Sequence, residues 1–381
     1  MNFQTLTLIT VLGLAGPWLA WRQSWHLPLI LGELLAGIVF GTTGFGLLHP
    51  ADPTFNFLAD VGFAVVMFVA GTHVPVRDAA IRAALGRGAV RAAAVGVLAM
   101  LAGQAMAVWF DTGHGLLYAV LIASSSAAIV LPIIDSQGLG GKPVLELTAQ
   151  VAIADAAAVV ALPLVIDPGN AGRAAVGALL VAGAALLVYC FLHWVEESGI
   201  RHRLHTVSED RKFALELRVS LALLFALGAL ATRSHVSIML AGFALGLAVA
   251  AVGEPRRVAK QLFALSDGFL APLFFVWLGA RLNLREFGDH PYLILLGLAL
   301  GAGAVLAHAL MRCLGQPVPL GAIASAQIGV PVAAVTVGTQ LHVLKPGEPA
   351  ALMLGALVTI AAAAWGARSA ARGTTDFARR G

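Results

Sequence analysis

The 381 residues are 59% hydrophobic and only 12% charged, with a mean hydropathy of +0.88, whereas a soluble domain is about 45 to 50% apolar and about 25% charged, so an ordinary soluble domain is excluded. The formal charge of +4 and isoelectric point of 9.4 come without a basic cluster free of apolar flanks, which excludes nucleic acid as a partner and assigns the excess to membrane orientation. Cys190 and Cys313 both lie at the ends of apolar segments and supply neither a disulfide framework nor a metal quartet.

A helix needs about 20 apolar residues to cross a hydrocarbon core of about 30 Å. In chain order such segments fall near residues 3–21, 28–44, 55–74, 89–110, 115–134, 144–166, 174–193, 214–231, 236–252, 262–280, 291–311, 318–340 and 349–366. The composition predicts an all-α multi-pass membrane protein of about thirteen transmembrane helices. The first segment is not a signal peptide, because residues 1–10 hold no Lys or Arg and Trp21 and Trp25 stand where cleavage wants small residues. The polar stretch 194–213 reads as a cytoplasmic linker between a first half, 1–193, and a second half, 214–366, with a short basic tail at 367–381.

With thirteen spans, nineteen of the 24 Lys and Arg fall on one side and five (Arg173, Arg233, Arg281, Arg285 and Lys345) on the other. The positive-inside rule then puts the N-terminus outside and the C-terminus in the cytoplasm of a plasma or bacterial inner membrane.

The halves resemble one another. Leu31-Gly32-Glu33-Leu34-Leu35-Ala36-Gly37 matches Leu240-Ala241-Gly242-Phe243-Ala244-Leu245-Gly246 at an offset of 209, and the stretch from Asp60 to Gly71 matches that from Asp267 to Gly279 at offsets of 207 and 208. A later polar helix in each half carries Pro132 after Ser124, Ser125 and Ser126, or Pro331 after Ser325 and Gln327, an offset of 199 between the prolines. Seven helix steps separate the copies, so the repeats are inverted, the arrangement of secondary transporters with a midplane site between interrupted helices. Small-residue packing in any Ala-rich bundle also produces such matches, but three anchors share nearly one offset.

Asp155 is the sharpest feature. It is central in its segment, about 15 Å from either interface along the helix, where a carboxylate costs about 2.5 to 3.5 kcal/mol on insertion scales and cannot snorkel out. A proton and a cation compete for such oxygens. The bland alternative is a paired aspartate locking helices together, but no Lys or Arg lies at comparable depth to pair with it. Ser125 and Ser126 are candidate cation ligands with Asp155, because hydroxyl and freed carbonyl oxygens suit hard cations. Ser124, Pro132, Gln327 and Pro331 are the supporting residues of two crossing broken helices, whose negative ends would add charge compensation. Serines in membrane helices also bond back to their own backbone.

Glu33, Asp60, His73, Asp267 and Arg281 fall near helix ends and read as interfacial anchors or caps. His308 reads as a helix-contact histidine, Glu146 as an acid suited to its helix N-terminus, and His202 and His205 as solvated loop residues. Metalloprotease, serine-hydrolase and Walker motifs are missing, which argues against an enzyme, and no cofactor is expected.

Residues 28–41, Leu58-Ala59-Asp60-Val61-Gly62, Phe68-Val69-Ala70-Gly71, the Ser124 to Ser126 helix, Ala154-Asp155 and Leu270-Ala271-Pro272-Leu273-Phe274-Phe275-Val276-Trp277-Leu278-Gly279 together resemble the monovalent cation:proton antiporter-2 family, whose membrane domain is sodium/hydrogen exchanger-like. The resemblance implies thirteen helices, two inverted repeats, a homodimer built on the helices outside them, and Asp155 as the carrier of both cation and proton. Two departures stand out: electrogenic members commonly have a second acid where this chain has Ala154, and a lysine on the helix matching residues 292–311, where this chain has none. The nucleotide-binding domain of the glutathione-gated potassium efflux branch is also missing from the chain. The expectation is electroneutral exchange of Na⁺ or K⁺ for H⁺ by alternating access. A cation channel or leak and a sodium-coupled organic-solute symporter on a similar inverted-repeat fold are the alternatives.

Overall fold

The computed structural model describes residues 1–21, 29–74, 77, 79–198, 215–234, 236–253, 261 and 263–378, and every regular element among them is helical. The helices are α1 (Phe3–Gly13), α2 (Ala15–Ala20), α3 (Leu29–Phe40), α4 (Pro53–Thr72), α5 (Ala79–Trp109), α6 (Gly115–Ala123), α7 (Ala127–Ser136), α8 (Lys142–Ile166), α9 (Ala171–Glu197), α10 (Leu215–Arg233) and α11 (Ile238–Val252). A π-helical turn, Ser266–Leu270, leads into α12 (Ala271–Arg281), followed by α13 (Tyr292–Ala309), α14 (Val318–Ala324), α15 (Gly329–Gln340) and α16 (Glu348–Ala378).

Ten described segments are long and apolar enough to cross a membrane, α3 and α11 are apolar but shorter, and α10 completes thirteen. The chain is a multi-pass membrane protein. Its outward faces are apolar, as on α9, where Leu179, Leu180, Leu186 and Leu187 are exposed, because lipid rather than water covers them.

Three boundaries differ from the sequence reading. α5 begins ten residues early, so Arg87 rides on a helix instead of a loop. α9 continues to Glu197, and the linker beyond it, with His202 and His205, lies outside the described residues, as do Arg22 and Lys260. α16 runs through the expected tail as far as Ala378, since Ala and Arg are strong helix formers and no proline interrupts them.

Two bundles result. In one, α3 packs on α12 and α4 on α11. Gly37 faces the Val276 carbonyl and Gly279 of α12, while Gly246 faces the Phe68 carbonyl and Gly71 of α4, so close that a Cβ on any of the four would strike backbone. Because Gly37 corresponds to Gly246 and Gly71 to Gly279, the two contacts are exchanged by the repeat, as an inverted pair of repeats requires. In the other bundle α5 packs on α8 as α13 packs on α16. The bundles touch where α8 meets α9 and α11.

The π turn accounts for the drift in offset from 207 to 208. A π turn holds one residue more than an α turn, and one extra residue separates Asp267 from Gly279 relative to Asp60 and Gly71.

Candidate functional site

α6 stops at Ala123 because Ser124 (ψ 152°) and Ser126 (φ −120°, ψ 110°) are extended, and α7 resumes at Ala127. In the second repeat α14 stops at Ala324 and α15 resumes at Gly329. The breaks cross and bond to each other: the Ser126 N–H donates to the Ala326 carbonyl at 2.8 Å, and the Ser125 hydroxyl donates to the Ala324 carbonyl at 2.7 Å. The Ser124 hydroxyl lies within hydrogen-bond distance of the Leu121 carbonyl, at 2.9 Å, and of Gln327 Oε1.

Neither proline stands in a break. Pro132 is inside α7, where its missing N–H leaves the Ala128 carbonyl without its helical donor. Pro331 is the third residue of α15, a position whose N–H would be orphaned in any case.

Asp155 lies at the middle of α8 and is 7% exposed. Its Oδ2 accepts the N–H of Ala127 at 3.0 Å, so the carboxylate faces the positive end of α7. The sequence reading places negative helix ends at the site; the contact seen on Asp155 is with a positive one. In the second repeat the corresponding job falls to Thr359, whose Oγ1 accepts the Gln327 N–H at 3.3 Å. One crossing helix start therefore receives a charge and the other a hydroxyl. Thr359 gave no signal in the sequence, being one uncharged residue in an Ala-rich span.

A cavity of about 510 Å³ opens beside Asp155, between the two bundles. Asp155, Ser126 and Pro132 line it from one bundle, and Glu33, His73, Asp267 and Phe243 from the other. Ser124, Ser125, Gln327 and Pro331 are not in its wall; the two serines and Gln327 hold the crossing behind it, and Pro331 lies in the first turn of α15. The structure therefore brings Ser126 to Asp155's cavity and keeps Ser125 in the crossing. Glu33, His73 and Asp267, read as anchors or caps, face the same space as Asp155. Their helix-end positions in the sequence gave no hint of which way each points.

On the opposite face, Asp60 of α4 lies 3.5 Å from the Gln340 amide at the end of α15 and within electrostatic reach of Arg281, whose guanidinium covers the Trp277 ring at 5.2 Å. His308 is buried. Its Nδ1 bonds to the Ala304 carbonyl at 2.9 Å, which directs Nε2 toward the Ser125 hydroxyl at 3.4 Å. Glu146 does more than complement a helix end: its carboxylate pairs with buried Arg91 at 2.9 Å and with Arg87 at 3.1 Å.

Residues 7–363 match the family described as sodium/hydrogen exchanger, transmembrane. The chain is 23% identical over 376 residues to the putative Na(+)/H(+) antiporter YjbQ of Bacillus subtilis (strain 168), covering 93% of this chain and 61% of that protein. It is 29% identical over 276 residues to the glutathione-regulated potassium-efflux system protein KefC of Enterobacter sp. (strain 638), covering 70% of this chain and 43% of that one. The chain thus spans about half of the length of these curated relatives. Among solved structures, the sodium proton antiporter MjNhaP1 of Methanocaldococcus jannaschii shares the fold at 18% identity, with a TM-score of 0.63 over 95% of both chains at pH 8 and 0.67 over 97% of both in an electron-microscopy map.

Proposed function

The chain belongs to the sodium/hydrogen exchanger family, and from that premise and the geometry of the cavity we propose that it is a secondary transporter exchanging Na⁺ or K⁺ for H⁺, not an enzyme. Asp155 is the shared carrier, holding a proton or a cation but never both, and the Ser126 side of the break supplies further oxygen ligands. One observation carries this reading: a carboxylate at the centre of a membrane helix, held by the N–H of a broken helix, faces a cavity with no basic partner among the described residues. Burying such a charge is costly unless the group works.

One carboxylate carries one positive charge in each direction, so exchange is electroneutral at 1:1. Ala154 leaves no second acid beside Asp155, and α13 holds no lysine. Alternating access follows if the bundle carrying Asp155 moves against the bundle of α3, α4, α11 and α12, closing the present cavity and opening the Gln340–Asp60 side. By the distribution of Lys and Arg, the present cavity faces the cytoplasm, with the N-terminus outside and the C-terminus inside a cell membrane. The molecule assembles as a homodimer through helices outside the Asp155 bundle. Residues 1–193 and 214–366 form its two halves, joined by the cytoplasmic linker 194–213, with 367–381 at the cytoplasmic end.

The test is proton movement in proteoliposomes, followed by an internal pH dye while Na⁺, K⁺ or Li⁺ is added. The natural protein should couple cation entry to proton exit with no response to a clamped membrane potential, and Asp155→Asn should lose this flux. Normal exchange by the variant would make Asp155 structural. Cation current without proton coupling would mean a channel, and uptake of an organic solute driven by Na⁺ would mean a symporter.

A further inference from the structure

The inverted repeat lets one mouth of the path be compared with the other. At the outer mouth Asp60 is answered by Arg281, and the Gln340 amide stands 3.5 Å away. The repeat carries Asp60 onto Asp267 and Arg281 onto His73. At the inner mouth, therefore, the guanidinium is replaced by an imidazole, whose Nδ1 is already engaged with the Val69 carbonyl at 2.8 Å. Glu33, whose repeat counterpart is Gly242, adds a second carboxyl within electrostatic range of Asp267.

Glu33 is 4% exposed, lines the cavity, and has no hydrogen-bond donor or cation on it among the described residues. Asp267 sits in the π-helical turn, next to Ser266, which also lines the cavity. Single π turns in helices are frequent at functional sites, and the regular helix around Asp60 shows that the fold does not need one here. The buried Glu33 carboxyl and Ser266 hydroxyl and the exposed Asp267 carboxyl at the cavity's rim, with His73 as the basic neighbour, are hard oxygen ligands with the chemistry of an alkali-cation site.

We propose that Glu33 and Asp267, with the Ser266 hydroxyl, form a second monovalent-cation site at the inner mouth of the cavity, on the bundle that does not carry Asp155. It rests on the reading of this cavity as the cation path. A cation held there lies in the same space as Asp155 and is handed on when the carrier gives up its proton. The groups facing the site are Glu33, Asp267, His73 and Asp155.

Equilibrium binding of radioactive Na⁺ and Rb⁺ to the purified full-length protein tests this, read beside exchange kinetics in proteoliposomes. The natural protein should bind two cations, Asp155→Asn one, Glu33→Gln one, and the double variant none. Glu33→Gln should raise the KM for the cation about tenfold with kcat held, the signature of lost uniform binding, and Glu33→Asp should restore part of it. If Glu33→Gln does not survive purification as a single species, Asp267→Asn supplies the same comparison. Loss of all binding in Asp155→Asn, or unchanged binding and KM in the Glu33 and Asp267 variants, overturns the second site. Normal exchange by Asp155→Asn would instead overturn the carrier assignment, while one cation still lost with Glu33→Gln would leave the second site standing.

Discussion

The three consecutive serines of the first break do different work. Ser126 faces the cavity, whereas the Ser125 hydroxyl supplies the donor for the Ala324 carbonyl inside the crossing. Ser125→Ala leaves that buried carbonyl unanswered, at a cost of about 1 to 3 kcal/mol, and should lower the thermal unfolding temperature in detergent while the KM for the cation holds. Ser126→Ala should do the reverse, raising the KM with little change in unfolding temperature. Equal effects of the two substitutions on KM would place both hydroxyls on the ion. Asp155 was legible in the sequence because depth in a membrane helix can be counted from residue number. Glu33 and Asp267 were not, because rotation about a helix axis and the facing bundle decide whether a residue near a helix end meets headgroups or a cavity. Arg87 was hidden by a helix start placed ten residues late, and the pairing of Arg91 with Glu146 depends on how α5 packs on α8, which no spacing in the sequence encodes.

At the scale of elements, the repeat was readable as sequence offsets, with its inversion following from the helix count, and its small irregularity had a structural cause in the π turn. What the offsets did not reveal is that the matched glycines pair crosswise, Gly37 with Gly279 and Gly246 with Gly71. The prolines were the less faithful markers: their offset of 199 departs from the rest because Pro132 sits inside α7 and Pro331 at the start of α15. Crosswise pairing makes a prediction about energetics. Gly279→Val drives its side chain into the Leu34 carbonyl and Gly37, and Gly246→Val does the same to the Phe68 carbonyl and Gly71. Each should cost about 1 to 3 kcal/mol, the usual penalty of overpacking, and the two should lower the unfolding temperature by similar amounts, since the repeat makes them equivalent contacts. Gly183→Val on α9, where an added Cβ meets nothing within 4 Å, should leave it unchanged. A large effect from one of the paired glycines and none from the other would mean that one interface holds the bundle alone.

For the whole molecule, the decisive feature is that the two bundles are internally tight and meet each other sparingly, with the cavity on one face and the Asp60 to Gln340 approach on the other. Asp60 belongs to the bundle of α3, α4, α11 and α12, and Gln340 to the bundle of Asp155. If alternating access moves one bundle against the other, this approach must part in every cycle. Replacing both residues by cysteine, in a background where the exposed Cys190 and Cys313 are removed, puts that requirement to a direct test with a short, cleavable bifunctional thiol reagent. Before the reagent is added, exchange should be measurable. Bridging should stop it, cleavage of the linker should restore it, and a thiol placed at Ser126 should remain open to a membrane-permeant label throughout, because the present cavity stays as it is. Such a bridge acts on motion and not on binding, so the bridged protein should still hold cation at Asp155. Exchange at the natural rate by fully bridged protein would mean that the outer contact never opens, and the path would then have to leave the membrane by another route.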